Sequence, residues 1–285
     1  MKSIVLALGY FDALHLGHQS IIKETVNQSK NLMAEPVLFT FDGDLSAFFK
    51  KSTGVIFTFN ERLELLKNFG IKDVHLAPLS EKYLSISKKE FLDGLNSIYD
   101  IKAYVCGDDF TFGKNAEGNV GYLKEYASIH NQKVFVKNEV SVLNGRVSTT
   151  RIKNLLLNGD IDDVNKLLGF DYYISGKVVR GRGVGKTLNF PTANLDFSSE
   201  KFSIKNAVYG GYVYIDDKKY KCIINCGKAP TFDVGFSLEV HVIDYAGDLY
   251  DKPLKVYFTK YLRDIVKFSS KEELIDQLTK DVKSV

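Results

Sequence analysis

The stretch SIVLALGYFDALHLGH, residues 3–18, decides how the first half of this chain folds. It begins as an apolar run of strand length that stops at Gly9, then carries His15, Gly17 and His18 into a segment with helical spacing. The apolar part is too short for a secretory leader and is followed at once by polar, histidine-bearing sequence, so it reads as a strand. A strand that feeds a helix through a glycine-bearing turn is the opening unit of a parallel α/β sheet.

Further apolar runs of strand length follow at 36–41, 74–77, 103–107 and 133–136, and most are separated by helical spacing. Capping boxes at Thr58 with Glu61 and at Ser87 with Glu90 mark two helix starts, and Gly70 supplies a C-cap. The pattern predicts a doubly wound parallel sheet, which binds ligands at the carboxyl ends of its strands. From about Tyr172 the texture changes to short runs rich in Val, Ile and Tyr, separated by Gly, Asp and Lys turns, which predicts a compact antiparallel barrel. A terminal helix is expected from Ser270, capped with Glu273 and carrying Leu274, Leu278 and Val282 on one face. The division falls in the helical stretch 151–168, at the turn Asn158-Gly159-Asp160, giving domains 1–160 and 161–285.

With 285 residues and 45% hydrophobic composition, two domains of ordinary size can each bury a core. Thirty-eight Lys and Arg against 35 Asp and Glu leave a net charge of +3 with no basic block, which argues against a nucleic-acid partner. No apolar stretch is long enough to span a bilayer, so no membrane partner and a cytoplasmic location are expected. Cys106, Cys222 and Cys226 form no paired CxxC motifs, and an odd count without a leader argues for buried thiols over a disulfide framework.

Chemistry concentrates in a few places. Gly9, Phe11, Asp12, His15, Gly17 and His18 lie where the first strand hands over to the first helix. A helix N-terminus offers free N–H groups and partial positive charge to phosphate, and Gly17 lets the backbone approach closely. Two imidazoles there can donate to the oxygens of a pentavalent phosphorus, although a lone histidine is more often structural. Arg146, Thr149, Thr150 and Lys153 form a second cluster at a helix start, readable as routine capping or as an anchor for a leaving pyrophosphate. The segment 107–113, with Asp109 and Phe112, is either a tight turn or a seat for a flat polar heterocycle.

In the second half, residues 180–187 imitate a P-loop, but Gly181 stands one residue too close to Gly185, and Leu188-Asn189-Phe190-Pro191 follows where a helix is required. Gly181, Gly185, Lys186 and Thr187 read instead as a flap able to cover phosphates. Thr192 and Asn194 present oxygens on one side of an extended segment, suited to Mg²⁺ carried by nucleotide phosphates. Glu239 puts a carboxylate into an otherwise apolar strand, as a satisfied structural charge or as a general base.

Taken in order, these segments resemble the bacterial bifunctional riboflavin kinase/FAD synthetase family over nearly the whole chain. The family's GxFDGxHxGH turn corresponds to residues 9–18, its GDDFxFG segment to 107–113 and its R-x-S-S-T-x-x-R stretch to 146–153. Its GxxxGRxLGFPTAN segment, N-x-G-x-R-P-T-F loop and LEVH strand correspond to 181–194, 225–232 and 238–241. The resemblance implies a nucleotidyltransferase-like Rossmann domain and a riboflavin kinase-like barrel that use ATP, Mg²⁺, riboflavin and FMN. It makes Glu239 the kinase base, Thr192 and Asn194 the magnesium ligands, and Asp109, Phe112 and Asn225 flavin contacts. His15 and His18 would stabilise the transferring adenylyl group, while Arg146, Thr149, Thr150 and Lys153 hold pyrophosphate. The sequence departs from the family pattern at Ala13 for Gly, at Asp42-Gly43-Asp44-Leu45 for a stretch resembling E-P-H-P, at Thr149 for Ser and at Lys153 for Arg. In the second half it departs at Lys186, Asn189 and Ala229. A single-activity enzyme, a flavin-binding regulator and a cytidylyltransferase-like enzyme are the rival readings; the barrel motifs speak against the last.

Overall fold

In the computed structural model, residues 1–48, 54–180, 190–227 and 237–285 are described. They form two compact units, one from Met1–Thr53 with Phe59–Ser148 and one from Gly54–Thr58 with Thr149–Val285. The units therefore meet in sequence at Ser148 and Thr149, upstream of the expected division at residue 160.

The first unit is built on five parallel strands, β1 (Lys2–Leu8), β2 (Glu35–Asp42), β3 (Asp73–Pro78), β4 (Tyr99–Gly107) and β5 (Lys133–Lys137), in the order β3-β2-β1-β4-β5. The crossovers carry α1 (Leu16–Asn31), α2 (Phe59–Asn68), α3 (Lys88–Ile98) and α4 (Val120–Ile129). Ile4 through Leu8 are at most 1% exposed, because helices on both faces bury both sides of a central parallel strand and remove the need for alternation. Both bonds of the Ser87–Glu90 capping box open α3. Chain order reverses between β1 and β4, which opens a crevice beyond the carboxyl ends of these two strands.

The second unit opens with α5 (Thr149–Asn158) and α6 (Ile161–Leu168), the two halves into which Gly159 at φ +85° breaks the single helical stretch of the sequence. Six antiparallel strands then close a barrel: β6 (Tyr173–Val179), β7 (Ala193–Phe197), β8 (Ala207–Ile215), β9 (Lys218–Gly227), β10 (Ser237–Val242) and β11 (Pro253–Asp264), ordered β6-β7-β10-β9-β8-β11. At Gly211 the register of β8 against β11 shifts, and a Cβ there would stand 2.0 Å from the Tyr257 carbonyl, so only glycine permits the crossing. The sequence leaves β7 as an extended segment, since Ala193–Phe197 offers too few β-branched residues to read as a strand. The chain closes with α7 (Lys271–Lys283), whose N-cap Ser270 accepts from Glu273 N. Glu273 returns its bond to Ser269 N (2.9 Å), so this box is displaced by one residue from the expected one.

Residues 54–58 join the second unit through main-chain bonds: Val55 N donates to Glu200 O (2.7 Å) and Phe202 N to Val55 O (2.8 Å). Ile56 and Phe57 are each 1% exposed. Lys201, itself only 4% exposed, donates from Nζ to Ile56 O at 2.6 Å and lies over the rings of Phe57 and Tyr172. A buried ammonium needs such partners, because leaving it bare would cost more than the fold can spare. Cys106, Cys222 and Cys226 are buried free thiols, as their spacing implied.

Candidate functional site

In the first unit the turn between β1 and α1 is held in a strained shape. Phe11 and Leu14 adopt φ of 52° and 50°, and both side chains are buried, so core packing offsets the backbone cost. His15 is the N-cap of α1 and its Nδ1 accepts from His18 N (3.3 Å), which assigns the remaining ring proton to Nε2. The two imidazoles stack with centroids 3.8 Å apart, and Phe11 meets His18 edge-on. Gly17 leaves room for this stack, since a Cβ there would sit 3.1 Å from the His15 ring and press on it. Burial pushes both imidazoles down to about 3, His18 lowering His15 further and the Arg62 guanidinium lowering His18, so both are neutral hydrogen-bonding groups at neutral pH.

The crevice at the strand-order reversal is a cleft of about 860 Å³. Gly9, Phe11 and His18 line it from the β1 side, and Asp109, Phe110 and Phe112 from the β4 side. His18 therefore faces the cleft, while His15, 7% exposed, lies behind it in the stack. Phe112 is largely built into the core, where it meets Phe91 and the parallel ring of Phe110. Asp12 caps the turn by accepting from Ala13 N (2.8 Å), and Ala13 takes no positive φ, so alanine fits here without strain. Tyr10 joins the altered 42–45 segment: its hydroxyl accepts from Leu45 N at 3.0 Å and meets Asp44 at 3.3 Å. Arg146 pairs with both Asp109 and Glu139.

Of the pyrophosphate set, Arg146 belongs to the first unit, whereas Thr149, Thr150 and Lys153 open the second. Lys153 donates to Gly54 O (2.6 Å) and lies over Phe202, so it helps to hold the 54–58 segment. Sequence reasoning missed Arg62, buried beneath Tyr10 with a bond to its carbonyl (3.3 Å), because a single arginine on a helix carries no spacing signal. It also missed the aromatic wall of Phe39, Phe41 and Tyr83, which comes from separate elements.

In the barrel, register alone assembles the second constellation. Glu239 on β10 pairs with Asn194 on β7 and with Asn225 on β9, so three polar side chains stand in one row across three strands. Leu238, Val240 and Val242 fill the interior, which turns Glu239 and His241 to the outer face. Glu239 is half-buried rather than buried. The row opens on a cleft of about 310 Å³, where Thr192, Asn225 and Glu239 face Ile265, Leu274 and Leu278. Thr192 also lines a neighbouring cleft of about 360 Å³ with Tyr245 and Tyr250. His241 Nδ1 lies 2.9 Å from Pro191 O and fixes the approach to Thr192. Among the described residues, no cluster of His, Cys, Asp and Glu could hold a metal ion by itself. Thr192 and Asn194 are neutral oxygen donors, which fit a magnesium ion that brings its charge balance with it on phosphates. Gly181, Gly185, Lys186 and Thr187 lie outside the described residues, as do Asn189 and Ala229.

Comparison with known proteins adds an independent line. A riboflavin kinase family model matches residues 168–285, and an FAD synthetase family model matches residues 1–151. The bifunctional riboflavin kinase/FMN adenylyltransferase of Buchnera aphidicola subsp. Schizaphis graminum is 31% identical over 98% of this chain and 92% of its own length. The protein of the same name from Listeria monocytogenes is 27% identical over 97% of this chain and 90% of its own. A crystal structure described as a macrolide-efflux protein from Streptococcus pneumoniae superposes with a TM-score of 0.91 at 30% identity, covering 99% of this chain and 93% of that one. Among the described residues, no helix is long and apolar enough to cross a membrane.

Proposed function

The chain belongs to the bifunctional riboflavin kinase/FAD synthetase family, and from that premise we propose how its own residues divide two ATP-dependent transfers between them. Riboflavin is phosphorylated to FMN in the barrel, and FMN is adenylylated to FAD at the parallel sheet.

In the kinase reaction Glu239 accepts the proton of the ribityl 5′-hydroxyl as that oxygen attacks the γ-phosphorus of ATP, and ADP leaves. Asn225, paired beside Glu239, orients the flavin's polar chain, while the isoalloxazine ring lies against the apolar wall of the 310 Å³ cleft. Thr192 and Asn194 would hold Mg²⁺, which would neutralise charge on the phosphates. Gly181, Gly185, Lys186 and Thr187, which lie outside the described residues, are assigned to the nucleotide.

In the adenylyl transfer an FMN phosphate oxygen attacks the α-phosphorus of a second ATP, and the bond to the β-phosphate oxygen breaks. Gly9, Phe11, Asp12 and Gly17 shape the nucleotide's seat, and His18, backed by His15, donates to the oxygens whose charge grows in the transition state. Arg146, Thr149, Thr150 and Lys153 receive the departing pyrophosphate, and Asp109 and Phe112 border the flavin. Buried free thiols and the use of ATP support a cytoplasmic location.

The observation that carries the reading is the Asn194–Glu239–Asn225 row, a carboxylate paired in register between two carboxamides, of which Glu239 and Asn225 line an apolar cleft. Incubation with riboflavin, ATP and Mg²⁺ followed by chromatography tests it. FMN and then FAD with pyrophosphate are expected; formation of neither flavin nucleotide refutes the enzyme reading.

A further inference from the structure

The outer wall of the kinase cleft has an unusual anchor. Helix α7 turns Leu274 and Leu278 toward the cleft, yet both are only half-buried, and Ile265 and Val266 in the preceding segment are 47% and 54% exposed. Asp281 is the single fully buried side chain of this helix, at 3% exposure. Helices normally dock on apolar side chains; this one docks on a carboxylate.

The partner is Arg263, near the end of β11. Its Nε lies 3.0 and 3.1 Å from the two Asp281 carboxylate oxygens, and its Nη2 lies 2.7 Å from one of them. Gln277 Nε2 donates to the other oxygen (2.8 Å), so both oxygens are satisfied. Arg263 itself borders the cleft, and its Nη1 donates to Asp264 O at 3.1 Å. The forked geometry fixes direction as well as distance, which a single apolar contact does not do.

We propose that the Arg263–Asp281 pair, braced by Gln277, is the positioning device that sets helix α7 as the closing wall of the riboflavin cleft and so fixes affinity for the flavin ring. The pair stands outside the Asn194–Glu239–Asn225 row. Its loss lets α7 drift, so that Leu274 and Leu278 no longer cover the ring, while Glu239 and its neighbours stay in register on the barrel strands. The proposal rests on the kinase reading given above.

The test uses the full-length chain and two variants, Asp281→Asn and Gln277→Ala, the second retaining the ion pair so that folding is preserved. Steady-state kinetics with riboflavin and MgATP should show the riboflavin KM raised about tenfold or more in Asp281→Asn and about threefold in Gln277→Ala. In both, kcat should stay within about threefold and the ATP KM within about twofold. Riboflavin binding, followed by quenching of flavin fluorescence, should weaken in parallel. A Gln277→Ala protein with unchanged riboflavin KM overturns the proposal, as does a parallel fall in kcat and in affinity for both substrates. Should the unaltered chain bind riboflavin without forming FMN, the kinase reading fails, and the fluorescence measurement alone then decides the role of the pair.

Discussion

At the residue scale, the stacked histidines show what burial does to a base. Both imidazoles are held neutral because their charged forms would be stripped of water in the turn, and each is pushed from 6.5 to about 3. A group whose folded value lies below its unfolded one costs stability when the unfolded chain takes up a proton that the folded chain refuses. Stability of the first unit is therefore unaffected by these groups above about pH 6.5 and falls progressively as pH drops toward 3. Thermal unfolding between pH 7.5 and 4.5 should show this slope, and His15→Gln with His18→Gln should flatten it. An equal slope in the double variant would remove the assignment. The residues themselves were legible in the sequence because two of only five histidines stand in one short turn. Their unequal placement was not, since which ring faces the cleft depends on side chains from β4 and from the turn's own positive-φ residues.

At the scale of elements, the 54–58 segment shows how a few bonds can decide where a piece of chain belongs. Its neighbours on either side lie in the first unit, but main-chain bonds to Glu200 and Phe202 and the buried Lys201 ammonium make it part of the second. Lys201→Met would keep the length of the side chain and leave Ile56 O without its donor. Loss of that buried bond should destabilise the second unit by about 1–3 kcal/mol. Denaturant unfolding checks this through the lower midpoint of the transition that reports on the barrel; an unchanged midpoint would show that the cage contributes nothing. Most strands and helices were readable as elements because periodicity and caps are local signals, as at Ser87 with Glu90. Strand β7 was not, because its place in the barrel comes from pairing with β6 and β10 rather than from its own composition.

At the scale of the whole molecule, each unit contains a constellation of its own, with His18 facing one cleft and Glu239 another. Separate chemistry predicts separable defects. Glu239→Gln should lose about 10²–10⁴ in the rate of FMN formation, as expected for removing a general base, while still converting supplied FMN to FAD. His18→Gln should accumulate FMN from riboflavin and form little FAD. Mixing the two variants should restore FAD production from riboflavin, because free FMN can pass between molecules; chromatography of the products reads the result, and no recovery on mixing would mean that the two reactions cannot be run on separate chains. The sequence by itself determined the two architectures, the order of their motifs and the residue types gathered in each candidate site, since these are written in local periodicity, turn chemistry and composition. Only the tertiary structure decided that Glu239 faces outward between Asn194 and Asn225, that His15 stands behind His18, and that Arg263 grips Asp281. Each of these is a relation between distant parts of the chain, set by strand register and by the need to pair whatever charge is buried.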